Sequence, residues 1–224
     1  MQSNSKLLRN TVKMDALKLP KASTKYESAK RMFDLAFALA LFVVSLPLFL
    51  IIAVLTSFDG SFKPIFTHSR CGKGGCRFRM YKFRTMRTDA QEILHKDPEL
   101  LAQFSVNFKL DNDPRVTRLG KILRRTSLDE LPQLLNVVKG DMSLVGPRPI
   151  VAEEIEKYGK HAYELFSVKP GLTGLWQISG RSNVTYPERV ALDRKYVANR
   201  CVFLDLKILL LTFVKIFTRD AGAQ

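Results

Sequence analysis

The longest uninterrupted apolar pattern in the chain runs from Leu35 to Phe58, about 24 residues without a charge, against the ~20 that a bilayer-spanning helix needs. The pattern predicts a membrane protein. It starts too late and runs too long for the apolar core of a cleaved signal peptide. Ser45-Leu46-Pro47 sits in its middle, where a proline removes one backbone hydrogen bond and clashes with the preceding turn. Divided there, each half has roughly 12 residues, or ~18 Å, too short for a ~30 Å hydrocarbon core. Lys21, Lys25, Lys30 and Arg31 precede the run and Lys63, Arg70 and Lys73 follow it, so the positive residues that mark a cytoplasmic side stand at both ends. These residues predict either a kinked span or a re-entrant hairpin broken at Ser45 and Pro47, because proline kinks also occur in true spans.

Shorter patterns follow. Ile65–Ser69 and Arg77–Phe83 read as strands around the turn residues Gly72-Lys73-Gly74-Gly75. Cys71 and Cys76 flank that turn, but a tetrahedral zinc site needs four ligands, and no second pair lies at ligand spacing. The glycines also lack the Gly-Lys-Ser/Thr ending of a phosphate loop. Asp89 to Phe104 has helical spacing in Ile93, Leu94, Leu100 and Leu101, interrupted at Pro98. From Val116 to Arg125 the cations Arg118, Lys121, Arg124 and Arg125 recur every three or four residues opposite Leu119, Ile122 and Leu123. That basic helix either faces solvent or lies on anionic headgroups. Phe203 to Arg219 puts Asp205, Thr212, Lys215 and Arg219 on one stripe with apolar residues around the rest, an interfacial or a core-packing helix.

The reading is an α+β fold, mainly helical, in four parts: a flexible basic tail at 1–29, a membrane segment at 30–60, a catalytic domain at 61–200 and an amphipathic helix at 201–224. Composition adds a surplus of 36 Lys and Arg over 21 Asp and Glu, a net charge of +15. It points to an anionic partner: nucleic acid, an anionic membrane surface or a phosphorylated substrate. With 46% hydrophobic residues the chain can bury a core, which excludes a wholly disordered protein. Three irregularly spaced cysteines fit reduced thiols and not a secreted disulfide scaffold.

The chemistry-bearing stretch is Arg124-Arg125-Thr126-Ser127-Leu128-Asp129-Glu130-Leu131-Pro132-Gln133. Its spacing has two readings. Ser127 and Glu130 fit a capping box at a helix start, with Asp129 in the first turn. Alternatively the adjacent carboxylates divide their labour, one attacking a phosphoryl group and the other holding Mg²⁺, a hard cation that prefers oxygen ligands. Downstream, Pro147 and Pro149 stiffen the backbone on both sides of Arg148, whose planar fork suits a phosphate. The sole tryptophan, Trp176, lies in a loop-like stretch from Lys169 to Ser182, where it either stacks on a ring or packs.

Lys82-Phe83-Arg84-Thr85-Met86, Asp113-Pro114-Arg115, Leu128-Asp129-Glu130-Leu131-Pro132-Gln133, Met142-Ser143-Leu144-Val145-Gly146-Pro147-Arg148-Pro149 and Leu172-Thr173-Gly174-Leu175-Trp176-Gln177 together resemble the bacterial sugar transferase family. These are the monotopic polyprenyl-phosphate phosphoglycosyl transferases that begin exopolysaccharide, capsule and O-antigen assembly. The match runs from about Lys30 to the C-terminus and covers the family's short form. Near Asn199-Arg200-Cys201-Val202 it departs from the usual pattern.

The resemblance implies a re-entrant membrane helix with its break at Ser45 and Pro47. It implies transfer of hexose-1-phosphate, galactose or glucose, from a UDP-hexose to undecaprenyl phosphate with release of UMP. Asp129 is implied as the nucleophile, Glu130 as the Mg²⁺ ligand and Arg148 as a contact to the nucleotide or its phosphates. A carboxylate approaches a diphosphate only where positive groups offset the repulsion. Lys82, Arg84, Arg115 and Arg125 are the candidates for that role, and Asp141 completes the candidate substrate-binding set. Membrane lipid is a further partner, with a homo-oligomer and downstream glycosyltransferases as additional candidates and no nucleic acid. The implied location is the cytoplasmic face of a bacterial inner membrane. The competing reading, a membrane-anchored basic binding module without catalysis, accounts for the charge but not for Asp129-Glu130 or Pro147-Arg148-Pro149.

Overall fold

The computed structural model describes residues 23–58, 62–107, 110, 112–180 and 184–217. The tail at 1–22, Asp111, Arg181, Ser182 and Arg219 lie outside the described residues. Helix α1 (Thr24–Phe58) leads into an antiparallel hairpin of β1 (Ile65–Cys71) and β2 (Arg77–Phe83). Helices α2 (Ala90–Lys96), α3 (Pro98–Asn107), α4 (Arg118–Thr126) and α5 (Gln133–Lys139) follow. Then come β3 (Ser143–Val145), short α6 (Ile155–Tyr158) and α7 (Ala162–Phe166), β4 (Gly171–Thr173), α8 (Leu175–Ser179), α9 (Tyr186–Asn199) and α10 (Val202–Phe217).

Of the expected helix-break-helix both halves are present, and the backbone stays helical through Pro47. Proline deprives only the carbonyl four residues back of its partner, and the Ser45 hydroxyl donates to the neighbouring Phe42 carbonyl at 3.3 Å, so the turn keeps its helical form. Both halves of α1 nevertheless seat on the same body. In the first half, the Asp34 carboxylate accepts the Leu144 amide at 3.1 Å, and Ala38 joins a core with Met80, Leu134 and Leu144. In the second, Ile52 clusters with Phe83 and Leu123, and the Phe49 ring lies 4.8 Å from that of Phe83. Met80 and Phe83 are both on β2, so one strand receives both ends of the apolar helix.

The hairpin pairs Ile65 with Phe83 and Cys71 with Arg77. The break at Pro98 separates α2 from α3 as the spacing predicts. A two-stranded parallel ladder, Ser143 with Gly171 and Val145 with Thr173, has no signal in the sequence, because three residues are too few to show alternation.

Helix α10 is inverted. Its polar stripe turns inward: Asp205 accepts from Tyr26, Lys30 and Tyr196, Thr212 meets Thr173 at 2.7 Å, and Lys215 donates to the Ile178 carbonyl. Phe203, Leu206, Leu210 and Phe213 point outward, together with Val43, Val44, Leu50, Ile51 and Val54 of α1. Helix α1 is long and apolar enough to cross a membrane by length and composition. An outward apolar face of this extent marks contact with something other than water.

Candidate active site

Three segments deliver the site. Helix α4 stops because Ser127 adopts a left-handed backbone, φ 59°, and Leu128–Glu130 continue as a single tight turn. Leu128 and Leu131 pack against the Ile52–Phe83–Leu123 cluster, which fixes the carboxylates between them. Strand β2 brings Lys82. Its position is set by the fully buried Asn136 of α5, which accepts the Tyr81 amide at 3.0 Å and donates to the Arg79 carbonyl at 2.7 Å. The Gly146-Pro147-Arg148 loop is held by the Gly146 amide on the Thr173 carbonyl at 2.9 Å and the Gly171 amide on Pro147 at 2.8 Å.

At the centre, the Lys82 ammonium lies 2.8 Å from Glu130 Oε1 and 3.4 Å from Asp129 Oδ2. Arg148 Nη1 reaches the same Glu130 oxygen at 3.4 Å. The capping-box reading is not adopted: the Ser127 side chain makes no cap, and the Glu130 carboxylate faces Lys82 and Arg148. Burial pushes the Asp129 carboxyl above the usual aspartate range; Lys82 and Arg124 offset this in part, and the neighbouring Glu130 charge reinforces it. For Glu130 the same burial is outweighed by Lys82 and Arg148, which hold its carboxyl well below the usual range. The two adjacent carboxyls are thereby driven apart, a division that marks groups with different roles.

The predicted residues are distributed unevenly. Asp129, Glu130, Lys82 and Arg148 converge. Arg115 is buried and fully engaged elsewhere, bonded to Asp113 at 2.8 and 2.7 Å with its guanidinium 4.8 Å from the Phe104 ring centroid. Arg84 donates to the Lys63 carbonyl at 3.0 Å. Asp141 accepts from Asn136 at 3.2 Å, supporting the strand–helix junction. Arg125 is exposed; the charge of its neighbour Arg124 acts on Asp129, and Arg124 donates to Thr85 at 3.0 Å.

Arg70 belongs with the site and was not among the candidates. Burial, with the like charge of Arg148 close by, pushes its guanidinium down to about 10. Its signal was alternation: Phe66, His68 and Arg70 share a strand face with Lys82, opposite Phe66 in the register. Guanidinium groups crowded beside a carboxylate pair form a pocket of positive potential suited to a polyanion.

Among the described residues no group of three or more His, Cys, Asp or Glu could hold a metal by itself. Magnesium is commonly bound through one or two carboxylates, with substrate phosphates and water completing the octahedron. The adjacent Asp129 and Glu130 carboxylates, already sharing the Lys82 cation, fit that mode.

The family model for Bacterial sugar transferase matches residues 25–219. The chain is 45% identical over 208 residues to the UDP-galactose-lipid carrier transferase of Erwinia amylovora, covering 91% of this chain and 43% of the relative. It is 44% identical over 208 residues to the undecaprenyl-phosphate galactose phosphotransferase of Salmonella typhimurium, with the same coverage of 91% and 43%. To the exopolysaccharide production protein ExoY of Rhizobium meliloti it is 48% identical over 189 residues, 82% of this chain and 83% of the relative. The chain thus spans less than half the length of the first two relatives and most of the third.

Proposed function

The chain belongs to the bacterial sugar transferase family, and from that premise we propose that it transfers hexose-1-phosphate from a UDP-hexose to undecaprenyl phosphate at a membrane surface. The observation that carries this reading is the buried Asp129 beside Glu130, with Lys82 shared between them. An Asp129 carboxylate oxygen attacks the sugar-bearing phosphorus. The bond from that phosphorus to the bridging oxygen breaks, and UMP departs with the electron pair. A phosphate oxygen of the lipid then attacks the same phosphorus, breaking the acyl-phosphate bond and restoring the Asp129 carboxylate. No proton needs to move in either half. Lys82, Arg148 and Arg70 offset the repulsion between carboxylate and diphosphate. Magnesium held by Glu130 would supply further neutralisation of the phosphate oxygens.

The outward apolar faces of α1 and α10 support docking into one leaflet, and the seating of both halves of α1 on a single body supports a monotopic arrangement. A span would carry its second half away from the domain. Held at headgroup depth, the site meets a lipid phosphate in what is nearly a two-dimensional encounter. The names of two relatives favour galactose as the hexose, which the Leu172–Ser182 motif leaves open between galactose and glucose. The test is UMP release from a panel of UDP-sugars with undecaprenyl phosphate and Mg²⁺. Release that depends on Asp129 supports the reading, and unchanged release by Asp129→Asn contradicts it.

A further inference from the structure

Beyond the carboxylate pair, a second polar cluster is left unmatched. Arg189 of α9 sits 5.0 Å from the Trp176 ring centroid, 5.1 Å from Tyr186 and 5.9 Å from Tyr158, with only 12% of its side chain exposed. Its Nη1 reaches Glu154 at 3.3 Å, and its Nε stands 4.0 Å from the Asp193 carboxylate one turn along α9. Arg189 Nε and Nη2, Asp193 Oδ1, the Trp176 indole nitrogen and both amide atoms of Gln177 are buried without a hydrogen-bond partner. Buried polar groups are normally paired, so six unmatched atoms on four neighbouring side chains call for an explanation.

The cluster adjoins the site. A Cβ on Gly174 would collide with the Gly146 carbonyl and come within 2.8 Å of Gln177 Oε1, so the Gln177 amide lies against the loop that carries Arg148. Glu154, which accepts from Arg189, also faces Arg70 at 3.5 Å, and Arg70 feels the charges of both Arg148 and Glu130. The polar row therefore continues from the phosphate-facing cations to Arg189.

The unmatched set contains N–H donors from Trp176, Gln177 and Arg189 and two acceptors, Gln177 Oε1 and Asp193 Oδ1. A phosphate would answer the donors but be repelled by both acceptors, the carboxylate above all. An apolar group would answer none. Hydroxyl groups, each both donor and acceptor, answer all of them. Resting on the transferase reading, we propose that Trp176, Gln177 and Arg189 recognise the hydroxyls of the donor's hexose. The imide edge of uracil offers similar chemistry at the other end of the same donor, and the test separates the two.

The full chain in lipid nanodiscs with Mg²⁺ is titrated with UDP-galactose, UDP-glucose and UMP, as wild type, Gln177→Leu and Trp176→Phe, with turnover and thermal melting followed in parallel. Each variant is expected to lose about tenfold or more in UDP-hexose affinity and kcat/KM, with UMP affinity changed by less than about twofold. Melting temperature is expected to hold or rise, because an unmatched buried group has been removed. Equal losses for UMP and UDP-hexose would assign the cluster to the nucleotide and overturn the proposal. A lower melting temperature with an unchanged ratio of UDP-hexose to UMP affinity would make the cluster structural and overturn it too. Wild-type turnover with unaltered variants sinks this inference alone, whereas a wild type that neither binds nor consumes any UDP-hexose sinks the transferase reading with it.

Discussion

Two buried aspartates, Asp205 and Asp129, show how the same side chain serves different ends. Asp205 receives the Tyr26 hydroxyl at 2.9 Å, the Lys30 ammonium at 2.8 Å and the Tyr196 hydroxyl at 2.8 Å. One carboxylate thus meets three donors, and the arrangement ties α1, α9 and α10 together. Asp129 has the opposite surroundings. Its side chain meets Lys82 at 3.4 Å, and that ammonium is shared with Glu130, which lies closer to it at 2.8 Å. A carboxylate with saturated contacts holds helices in place, while one with weak contacts and a like-charged neighbour keeps a free oxygen for an incoming phosphorus.

The sharpest way to separate the two is by substitution. Asp129→Asn is expected to reduce UMP release at least about a thousandfold, while thermal stability at neutral pH holds or rises. Asp205→Ala should behave in reverse: removing one partner of a buried ion pair costs about 3–5 kcal/mol, read as a lower denaturation midpoint. Should Asp205→Ala melt like wild type, its structural assignment fails. Next in size, Glu130→Gln is expected to lower turnover by about 10²–10³ and to weaken the dependence of activity on Mg²⁺ concentration; an unaltered Mg²⁺ profile would refute its role.

The pH response sharpens the same contrast. Burial raises the Asp129 carboxyl, so kcat/KM is expected to fall on acidification with a midpoint above the ordinary ~4 of an aspartate. Because the folded form holds that proton more tightly than the unfolded chain, Asp129 contributes stability at low pH that is lost as pH rises through its raised value. The melting temperature of Asp129→Asn should therefore draw ahead of wild type as pH climbs through that window. Glu130, held low by Lys82 and Arg148, has the opposite sign: its contribution is present above its unfolded value and disappears as pH falls through its lowered one. A constant gap between variant and wild type across pH would contradict the Asp129 assignment.

Local chemistry was legible wherever the signal was local. The hairpin followed from alternation and glycines, the α2–α3 break from Pro98, and the convergence of Asp129, Glu130, Lys82 and Arg148 from motifs. What escaped was set by tertiary contacts. Arg115 looked available, but nothing in Asp113-Pro114-Arg115 announces that the first residue grips the third. Arg124 and Arg125 are adjacent on a basic helix, and the bond from Arg124 to Thr85, 39 residues away, that holds Arg124 near Asp129 has no local signal. At Pro47 the backbone stays helical, and it is the contacts of Ala38 and Ile52 with the clusters around β2, distant in sequence, that bring both halves of α1 onto one body. The stripe on α10 was visible, but its inward direction depends on Tyr26, Lys30 and Thr173, all distant in sequence.

The central claim is that Asp129 becomes covalently bonded to the sugar-bearing phosphorus. Incubating the full chain with UDP-galactose and Mg²⁺ in the absence of lipid acceptor, quenching in denaturant and mapping peptides by mass spectrometry tests it directly. The expected result is a hexose phosphate on the peptide that contains Asp129, discharged on addition of undecaprenyl phosphate; release of UMP with that peptide unmodified would contradict it.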